Sequence, residues 1–377
     1  MAVKQILVSA SLAIGTAGSS GTALAEPDAS TDRSDREAAA EDTQPRRSGR
    51  FEVGLGYQPD DGFIAGAAVA NDDLFGSGDQ LALHAMLSQR QQLFLLHFAD
   101  PHLGGGDLGL SIDLFAREQE WPGFRREGEG GALTLWRPIG RHTSAFLSYR
   151  VEAVSIAPDD SVAVALARAV TPEASLSTAD LFLSSLRAGV EHSTVDGSFL
   201  PRRGSSAGAW IEAADHRLGS DADLVRGRVW GAHHRPLGPF TLHLAARAEG
   251  VSSRDPLGVP LSERLQLDGS SDVRGLAPGA LGRVDPATGM ALGGDLLMTG
   301  RAEIEVPIWP GAGLSGLVFA DAGAVLDTQE GSGGLGASTG VGLLWRSPIG
   351  PLRFDWAVPL DGDRSAPRFL FSLGGAL

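Results

Sequence analysis

The sequence predicts an all-β fold, a transmembrane antiparallel β-barrel of about 16 strands. From Phe51 onward, apolar and polar side chains alternate in segments of roughly 8–15 residues, which is the pattern of strands with two different faces. The chain has 51 glycines, 20% charged residues and a mean hydropathy of -0.01, a composition that fits many strands joined by tight turns. No run of about 20 apolar residues occurs, so the sequence excludes a membrane-spanning helix.

The N-terminal residues 1–25 have the features of a secretory signal peptide. Lys4 supplies a positive charge, a short apolar run begins at Ile6, and Ala23-Leu24-Ala25 forms an Ala-x-Ala cleavage site. Residues 26–50 contain charged, Ser and Pro residues with almost no bulky apolar side chain. Because such a segment cannot bury enough apolar surface to order itself, we expect a flexible periplasmic leader there.

Charge and residue content narrow the possible functions. The net charge of -15 argues against nucleic acid as a partner, because binding phosphates requires a basic face. The chain contains no cysteine, so its stability has to come from something other than disulfides. A closed barrel, in which every backbone group is paired, supplies that stability. We predict no cofactor.

The alternating segments give the strand assignment, and an even number of about 16 suits a barrel made from one bacterial chain. They are residues 51–58, 62–71, 79–88, 91–100, 105–117, 123–137, 141–155, 178–194, 205–216, 221–236, 239–251, 293–308, 312–325, 334–347, 350–360 and 366–377. In the eleventh, Phe240 and Leu244 lie on one face, and Thr241 and Glu249 lie on the other. A soluble β-sandwich has the same period, so the alternation alone leaves both folds open.

The longest gap between segments, at about 252–292, is either functional or disordered, because long structureless loops are uncommon in compact domains. A series of four motifs starts in this gap and ends at the closing strand. They are Val273-Arg274-Gly275-Leu276, Glu303-Ile304-Glu305-Val306-Pro307, Phe319-Ala320-Asp321-Ala322-Gly323 and Ser347-Pro348-Ile349-Gly350-Pro351-Leu352-Arg353-Phe354-Asp355. In this order they resemble the motifs of the BamA/TamA superfamily of outer-membrane β-barrels, also called the bacterial surface antigen family.

The resemblance extends over residues 51–377 and favours the barrel over the sandwich. It implies a barrel domain at 51–377 in the bacterial outer membrane, with a long loop at about 252–292 that folds back into the lumen. The leader is too short for a polypeptide-transport-associated domain, so we expect the barrel without periplasmic domains. Leu276 stands where this family usually has an aromatic residue.

The function implied by the resemblance is assembly, insertion or translocation at the outer membrane. The mechanism would be non-covalent, with an opened edge strand at a weak seam between the first and last strands pairing with an incoming strand. The implied partners are outer-membrane lipid, lipopolysaccharide, unfolded outer-membrane protein clients and separately encoded periplasmic domains. We expect no enzyme activity. The alternative is a passive structural or pore-forming surface antigen.

Arg274, in the loop motif Val273–Leu276, is the candidate for a special role. A guanidinium presents a rigid fork of donors that can hold two carboxylates at once. Glu303 shares a strand face with Arg301, so its side chain should point into the lumen. The family pattern implies that Glu303 and Asp321 both lie near Arg274. We therefore predict a lumen latch made of Arg274, Glu303 and Asp321, with a structural or gating role.

Two further patterns are less specific. Gly204-Ser205-Ser206-Ala207-Gly208 matches the Gly-x-Ser-x-Gly motif of serine esterases, but an alternating strand follows it in place of the required helix. This context disfavours an enzyme that uses Ser206. His233 and His234 are neighbours on a strand and point to opposite faces, so we predict no metal site there.

Overall fold

The computed structural model describes residues 49–159, 162, 180–197, 200–360 and 366–373. The predicted signal peptide lies outside these residues, as does the predicted leader up to residue 48. Gly49 and Arg50, which end the predicted leader, form the start of the first strand. Within the described part of the chain, no helix is long and apolar enough to cross a membrane.

Antiparallel strands close into a 16-stranded barrel, so the predicted fold class is confirmed. The barrel strands are β1 (Gly49–Gln58), β2 (Gly62–Leu74), β3 (Asp79–Leu87), β4 (Gln91–Asp100), β5 (Gly109–Trp121), β6 (Phe124–Pro138), β7 (Thr143–Pro158), β8 (Leu181–Ser193), β9 (Gly204–Ala214), β10 (Leu224–Leu237), β11 (Phe240–Ser253), β14 (Leu296–Trp309), β15 (Leu314–Asp327), β16 (Ser332–Ser347), β17 (Gly350–Pro359) and β18 (Arg368–Leu373). Two short strands, β12 (Arg283–Val284) and β13 (Ala291–Gly293), pair with each other in the connection between β11 and β14.

Each predicted segment corresponds to one barrel strand, and the largest error in a boundary is at β5. The predicted segment 105–117 begins four residues before the observed strand, which starts at Gly109. The cause is a 3-10 turn over Leu103–Gly105, in which Gly104 and Gly105 have positive φ angles of 64° and 78°. A backbone with two consecutive left-handed residues cannot continue as a strand.

The two faces of each strand differ as the alternation predicts. On β11, Phe240 and Leu244 are exposed on the outside of the barrel, whereas Thr241 and Glu249 are buried inside it. In a membrane barrel the outer apolar face meets lipid and the inner face lines the lumen. Functional polar groups are therefore expected on the inner face.

The two ends of the barrel carry different connections. We call the end with the long connection between β11 and β14 the loop end, and the opposite end the turn end. At the turn end, β10 and β11 are joined by only Gly238 and Pro239, and β16 and β17 by only Pro348 and Ile349.

Candidate functional site

The connection between β11 and β14, residues 254–295, folds into the barrel, and we call it the lumen loop. Gln91 Nε2 of β4 donates to Asp268 Oδ1 in this loop at 3.0 Å, and loop residue Arg274 contacts Glu303 of β14. β4 and β14 lie on opposite sides of the closed barrel. A segment that touches both walls has to occupy the space between them.

Arg274 bridges two carboxylates on adjacent strands. Its Nε and Nη2 donate to Asp321 Oδ2 and Oδ1 at 2.6 and 2.7 Å, and its Nη1 donates to Glu303 Oε2 at 2.7 Å. The backbone N–H of Arg274 also donates to Asp321 Oδ2, at 3.1 Å. Parallel bidentate bonds of this kind fix orientation as well as charge. The three residues predicted as the latch are thus in direct contact.

Strand β17 extends this cluster with two residues that were not among the predicted latch residues. Arg353 donates to Glu303 and, through Nε, to Asp355 Oδ2 at 2.7 Å, while Arg274 Nη1 lies 3.6 Å from Asp355. Both residues lie in the closing motif quoted above. Their spacing of two places their side chains on one face, and that spacing is the signal from which they could have been found.

An aromatic ring supports the Arg274 guanidinium. Its Cζ lies 3.5 Å from the ring centroid of Phe319, which is a cation–π contact. The ring also lies against β16, where a Cβ added to Gly340 would be 2.3 Å from Phe319 Cζ. Gly340 therefore leaves room for the ring, and the ring in turn limits where Arg274 can go.

Gly275 allows the chain to turn directly after Arg274. Its φ of +86° is one that side-chain-bearing residues rarely adopt, and an added Cβ would lie 3.0 Å from Ala357 Cβ. Arg301 of β14 holds the turn before Arg274, because it donates to the carbonyl oxygens of Ser270, Ser271 and Asp272. The loop motif is therefore fixed on both sides of the arginine.

A second charged contact holds the loop on the other side of the lumen. Glu263 of the loop is buried and accepts hydrogen bonds from Arg126 of β6 at 2.8 Å and from Arg226 of β10 at 2.9 Å. Arg126 Nε also donates to the carbonyl oxygen of Ser262, and its Nη1 donates to Glu152 of β7. We call Glu263 with Arg126 and Arg226 the second clasp. Sequence reasoning missed it, since Glu263 belongs to no motif.

Apolar side chains of the loop complete its attachment by packing on two patches of the inner wall. The first cluster contains the wall residues Val251, Leu297 and Val325 with the loop residues Val259, Leu265, Leu267, Val273, Leu276 and Leu281. The second contains Trp121, Phe124, Ile156 and Val162 with the loop residues Leu261 and Met290. Leu276 is thus a core residue of the first cluster.

Asp268 is a loop carboxyl in an unfavourable setting. It is buried, and its Oδ1 accepts from Gln91 and Gln119 at 3.0 and 3.2 Å. Burial raises its pKa well above the usual value, and the nearby carboxyls of Asp272 and Asp61 raise the pKa further. Arg247 and Arg90 act in the opposite direction without reversing the shift.

The pairing between the first and last strands forms a seam that is short in the described residues. β1 pairs with β18 over three residue pairs, Leu55 with Leu373, Gly56 with Ser372 and Tyr57 with Phe371. By contrast, β1 pairs with β2 over its full length, from Gly49 to Gln58. Residues 374–377, which follow β18, lie outside the described residues. On the loop-end side of the seam, Arg368 donates to Asp60 in a salt bridge.

The less specific sequence patterns lie on ordinary strands. Ser206 is in β9, which runs unbroken from Gly204 to Ala214, so the strand-turn-helix setting of an esterase elbow is not formed there. His233 Nδ1 lies 2.7 Å from Ser205 Oγ, and His234 Nδ1 lies 2.8 Å from His243 Nδ1. These contacts satisfy the ring nitrogens involved without a metal.

One group among the described residues has ligand atoms close enough for a metal ion. The ligand atoms of His216, Asp223 and Asp255, at the loop end, all lie within 4.8 Å of one another. His216 Nδ1 already pairs with Asp223 Oδ1 at 2.5 Å, and Asp255 Oδ2 accepts from the Asp223 N–H. The three side chains therefore stabilise a loop junction through their own hydrogen bonds.

The family follows from the sequence match. The profile of the Omp85 superfamily domain matches residues 73–376. The chain belongs to the Omp85 superfamily. The predicted family is therefore confirmed, and this Omp85 barrel is a protein of the bacterial outer membrane.

Among curated proteins, the Omp85 barrel is 26% identical over 337 residues to the outer membrane protein assembly factor BamA of Nitratidesulfovibrio vulgaris. It is 24% identical over 379 residues to the protein of the same name from Neisseria meningitidis serogroup B. These matches cover 87% of this chain in both cases, but only 42% and 47% of the relatives. The chain thus spans less than half the length of these relatives.

Solved structures share the fold. The crystal structure of BamA from Haemophilus ducreyi lacking POTRA domains 1–3 has a TM-score of 0.70 at 19% identity, covering 87% of this chain and 70% of that one. CdiB from Acinetobacter baumannii has a TM-score of 0.59 at 15% identity, covering 88% and 60%. At these sequence identities the similarity shows a shared barrel fold and no more.

Replacing Arg274 with Ala should destabilise the folded barrel by about 3–5 kcal/mol, because it leaves buried carboxylates unpaired. The measurement is urea-induced unfolding of the refolded chain in lipid. Arg283→Ala is the matched control, since Arg283 lies in the same loop and its salt bridges with Asp327 and Glu330 are partly exposed. We expect the control to cost less than about 1 kcal/mol. Equal losses of unfolding free energy in the two variants would contradict the latch.

Asp268→Asn should make the stability of the barrel less dependent on pH. Because the pKa of Asp268 is higher in the folded protein than in the unfolded chain, protonation stabilises the docked loop at low pH. This contribution is lost as the pH rises from about 3.9 through the raised pKa. The variant should match wild type at low pH and exceed its unfolding free energy above the raised pKa. An unchanged pH profile for Asp268→Asn would refute the assignment.

Proposed function

We propose that this Omp85 barrel takes part in the assembly, insertion or translocation of proteins at the outer membrane. The observation that carries the proposal is that the barrel closes through a seam between its first and last strands, β1 and β18, which pair over three residues within the described part of the chain. The names of the relatives, an outer membrane protein assembly factor and CdiB, agree with such a role. Unfolded outer-membrane proteins are the proposed clients, and separately encoded periplasmic domains are the proposed helpers.

The proposed mechanism uses the backbone of β1. An exposed strand edge presents a row of unpaired N–H and C=O groups, and these groups bind another strand by main-chain pairing. Opening the seam frees such an edge on β1, next to the lipid. β1 and β18 are also the two neighbouring strands that no connection of the chain joins, so opening there leaves every connection of the barrel in place.

The lumen latch supports this mechanism by keeping the wall beside the seam intact. Glu303, Asp321 and Asp355 lie on β14, β15 and β17, and Arg274 binds or lies near all three. These charged contacts hold the strands that precede β18 to the loop. When β18 separates from β1, the rest of the wall therefore keeps its arrangement. The proposed role of the latch is to limit movement to the seam.

The protein is proposed to act without chemical catalysis and without a cofactor. Strand exchange replaces one set of backbone hydrogen bonds with another, so it requires no bond cleavage. Lipopolysaccharide and outer-membrane lipid are the proposed surroundings of the exposed outer face. If the seam never opens, the same barrel serves as a passive structural or pore-forming surface antigen, and the following experiment separates the two.

Locking the seam with a disulfide should abolish client insertion. The chain has no cysteine, so Leu55→Cys with Leu373→Cys introduces a single pair of thiols at positions that face each other across the seam. Purified barrel in liposomes is tested for insertion of an unfolded outer-membrane protein, before and after reduction. We expect insertion only after reduction, because only then is the edge of β1 free.

The control disulfide joins Val229→Cys and Ala248→Cys, which face each other across β10 and β11. It should leave insertion unchanged, since those strands stay paired in the proposed mechanism. If the barrel with the locked seam inserts clients as well as the reduced barrel does, the proposal that β1 templates the incoming strand is wrong. If wild type inserts none while conducting ions steadily, the passive barrel is the better account.

A further inference from the structure

Glu191 of β8 is a buried carboxyl group on the inner face of the barrel. Its side chain is 5% exposed, and neither carboxyl oxygen has a hydrogen-bond partner among the described residues. The other buried glutamates of the wall strands each pair with an arginine; they are Glu152, Glu212, Glu249 and Glu305. Because a carboxylate removed from water is costly unless it is paired, Glu191 is the exception on this wall.

The position of Glu191 separates it from the lumen loop and from the wall arginines. Arg226, which binds the loop in the second clasp, faces Glu212 across β10 and β9, and Glu212 faces Arg187 of β8. Glu191 lies four residues beyond Arg187 toward the turn end, a rise of roughly 13 Å. Arg187 itself donates through Nε and Nη2 to Glu212 Oε2. The loop and the clasp thus provide no cation for Glu191.

Two aromatic rings lie beside Glu191 on the inner face. Toward the loop end, Phe146 of β7 covers Gly189, because a Cβ added to Gly189 would lie 2.6 Å from the Phe146 ring. On the other side, Gly208 of β9 faces Glu191, and a Cβ added there would lie 2.6 Å from Trp230 Nε1. The two glycines therefore leave room for the rings next to the carboxyl group.

A carboxylate next to aromatic faces is suited to an organic cation. Aromatic faces attract ammonium and guanidinium groups, and they recognise quaternary ammonium ligands. The same wall shows this chemistry at Trp210, whose ring centroid lies 4.2 Å from Cζ of Arg187 and 5.5 Å from Cζ of Arg228. Calcium, in contrast, takes six to eight oxygen ligands, so a single carboxyl group between rings disfavours it.

We propose that Glu191, Phe146 and Trp230 form a binding site for an organic cation in the turn-end half of the lumen. The ligand group is an ammonium or a guanidinium, carried by a small molecule or by a basic side chain of a polypeptide in the lumen. The carboxylate neutralises its charge, and the rings contact its apolar substituents. This site goes beyond the proposed function and does not depend on opening of the seam.

Binding of choline to the refolded chain in an uncharged detergent, measured by ligand-observed NMR, tests the site. The neutral analogue 3,3-dimethylbutanol has nearly the same shape and serves as the probe without charge. Glu191→Gln removes the negative charge at constant size, and Trp230→Leu removes one ring. The matched control is Asp107→Asn, which makes the same charge change at an exposed position of the connection between β4 and β5.

We expect wild type and Asp107→Asn to bind choline equally, and Glu191→Gln to bind it about tenfold more weakly. Trp230→Leu should weaken binding several-fold, and Trp230→Phe should restore most of it. Choline should also raise the thermal unfolding midpoint of wild type but not of Glu191→Gln. Heat-modifiable migration on a gel confirms that each variant is folded.

The source of the cation is identified by competition with N-acetyl-lysine amide. Displacement of choline by this compound supports a basic side chain as the ligand, whereas a lack of displacement supports a small molecule. Equal affinity of wild type for choline and for 3,3-dimethylbutanol would overturn the proposal, and this comparison does not depend on any variant. Equal affinity of wild type and Glu191→Gln for choline would overturn it as well.

Discussion

The arrangement of the lumen depends on the need to pair buried charge. Asp321 is buried in the inner wall, and a carboxylate removed from water is costly unless it is paired and hydrogen-bonded. The wall cation opposite Asp321, Arg301, donates to carbonyl oxygens of the loop, whereas Arg274 of the loop binds both oxygens of Asp321 and also reaches Glu303. The wall therefore requires the loop as much as the loop requires the wall. On the other side of the lumen, Arg126 and Arg226 of the wall likewise pair with the buried carboxylate of Glu263 in the loop.

This mutual dependence ties the barrel wall to the lumen loop, whereas the seam joins two strands that no connection of the chain links. The lumen loop connects strands on both sides of the lumen through charge pairs and two apolar clusters. Within the described residues, the seam between β1 and β18 has three backbone pairs and, at its loop-end side, the salt bridge between Arg368 and Asp60. At the seam no connection of the chain joins the two strands, so they can separate with every loop in place. A protein that has to expose one strand edge without unfolding benefits from such a distribution.

Much of this fold could be predicted from the sequence, because the side chains of a barrel strand alternate between the lipid-facing side and the lumen-facing side. That alternation identified all 16 barrel strands, and it placed Glu303 on the inner face. Boundaries were less accurate where glycine allows a turn in an otherwise strand-like run, as at Gly104. Arg274, Glu303 and Asp321 were found through a resemblance of motifs. Glu263 was not found in this way, because its partners Arg126 and Arg226 lie 137 and 37 residues away in the sequence. Only the folded chain brings them together.

The central claim is that charged contacts on two walls hold the loop in the lumen. Single-channel conductance in planar bilayers tests it directly, with wild type compared with Arg274→Ala, Glu263→Ala and the double variant. The account predicts a small or flickering conductance for wild type and for each single variant, since one wall still holds the loop. The double variant should show a larger and steadier conductance. A conductance that is the same for all four proteins would contradict the claim.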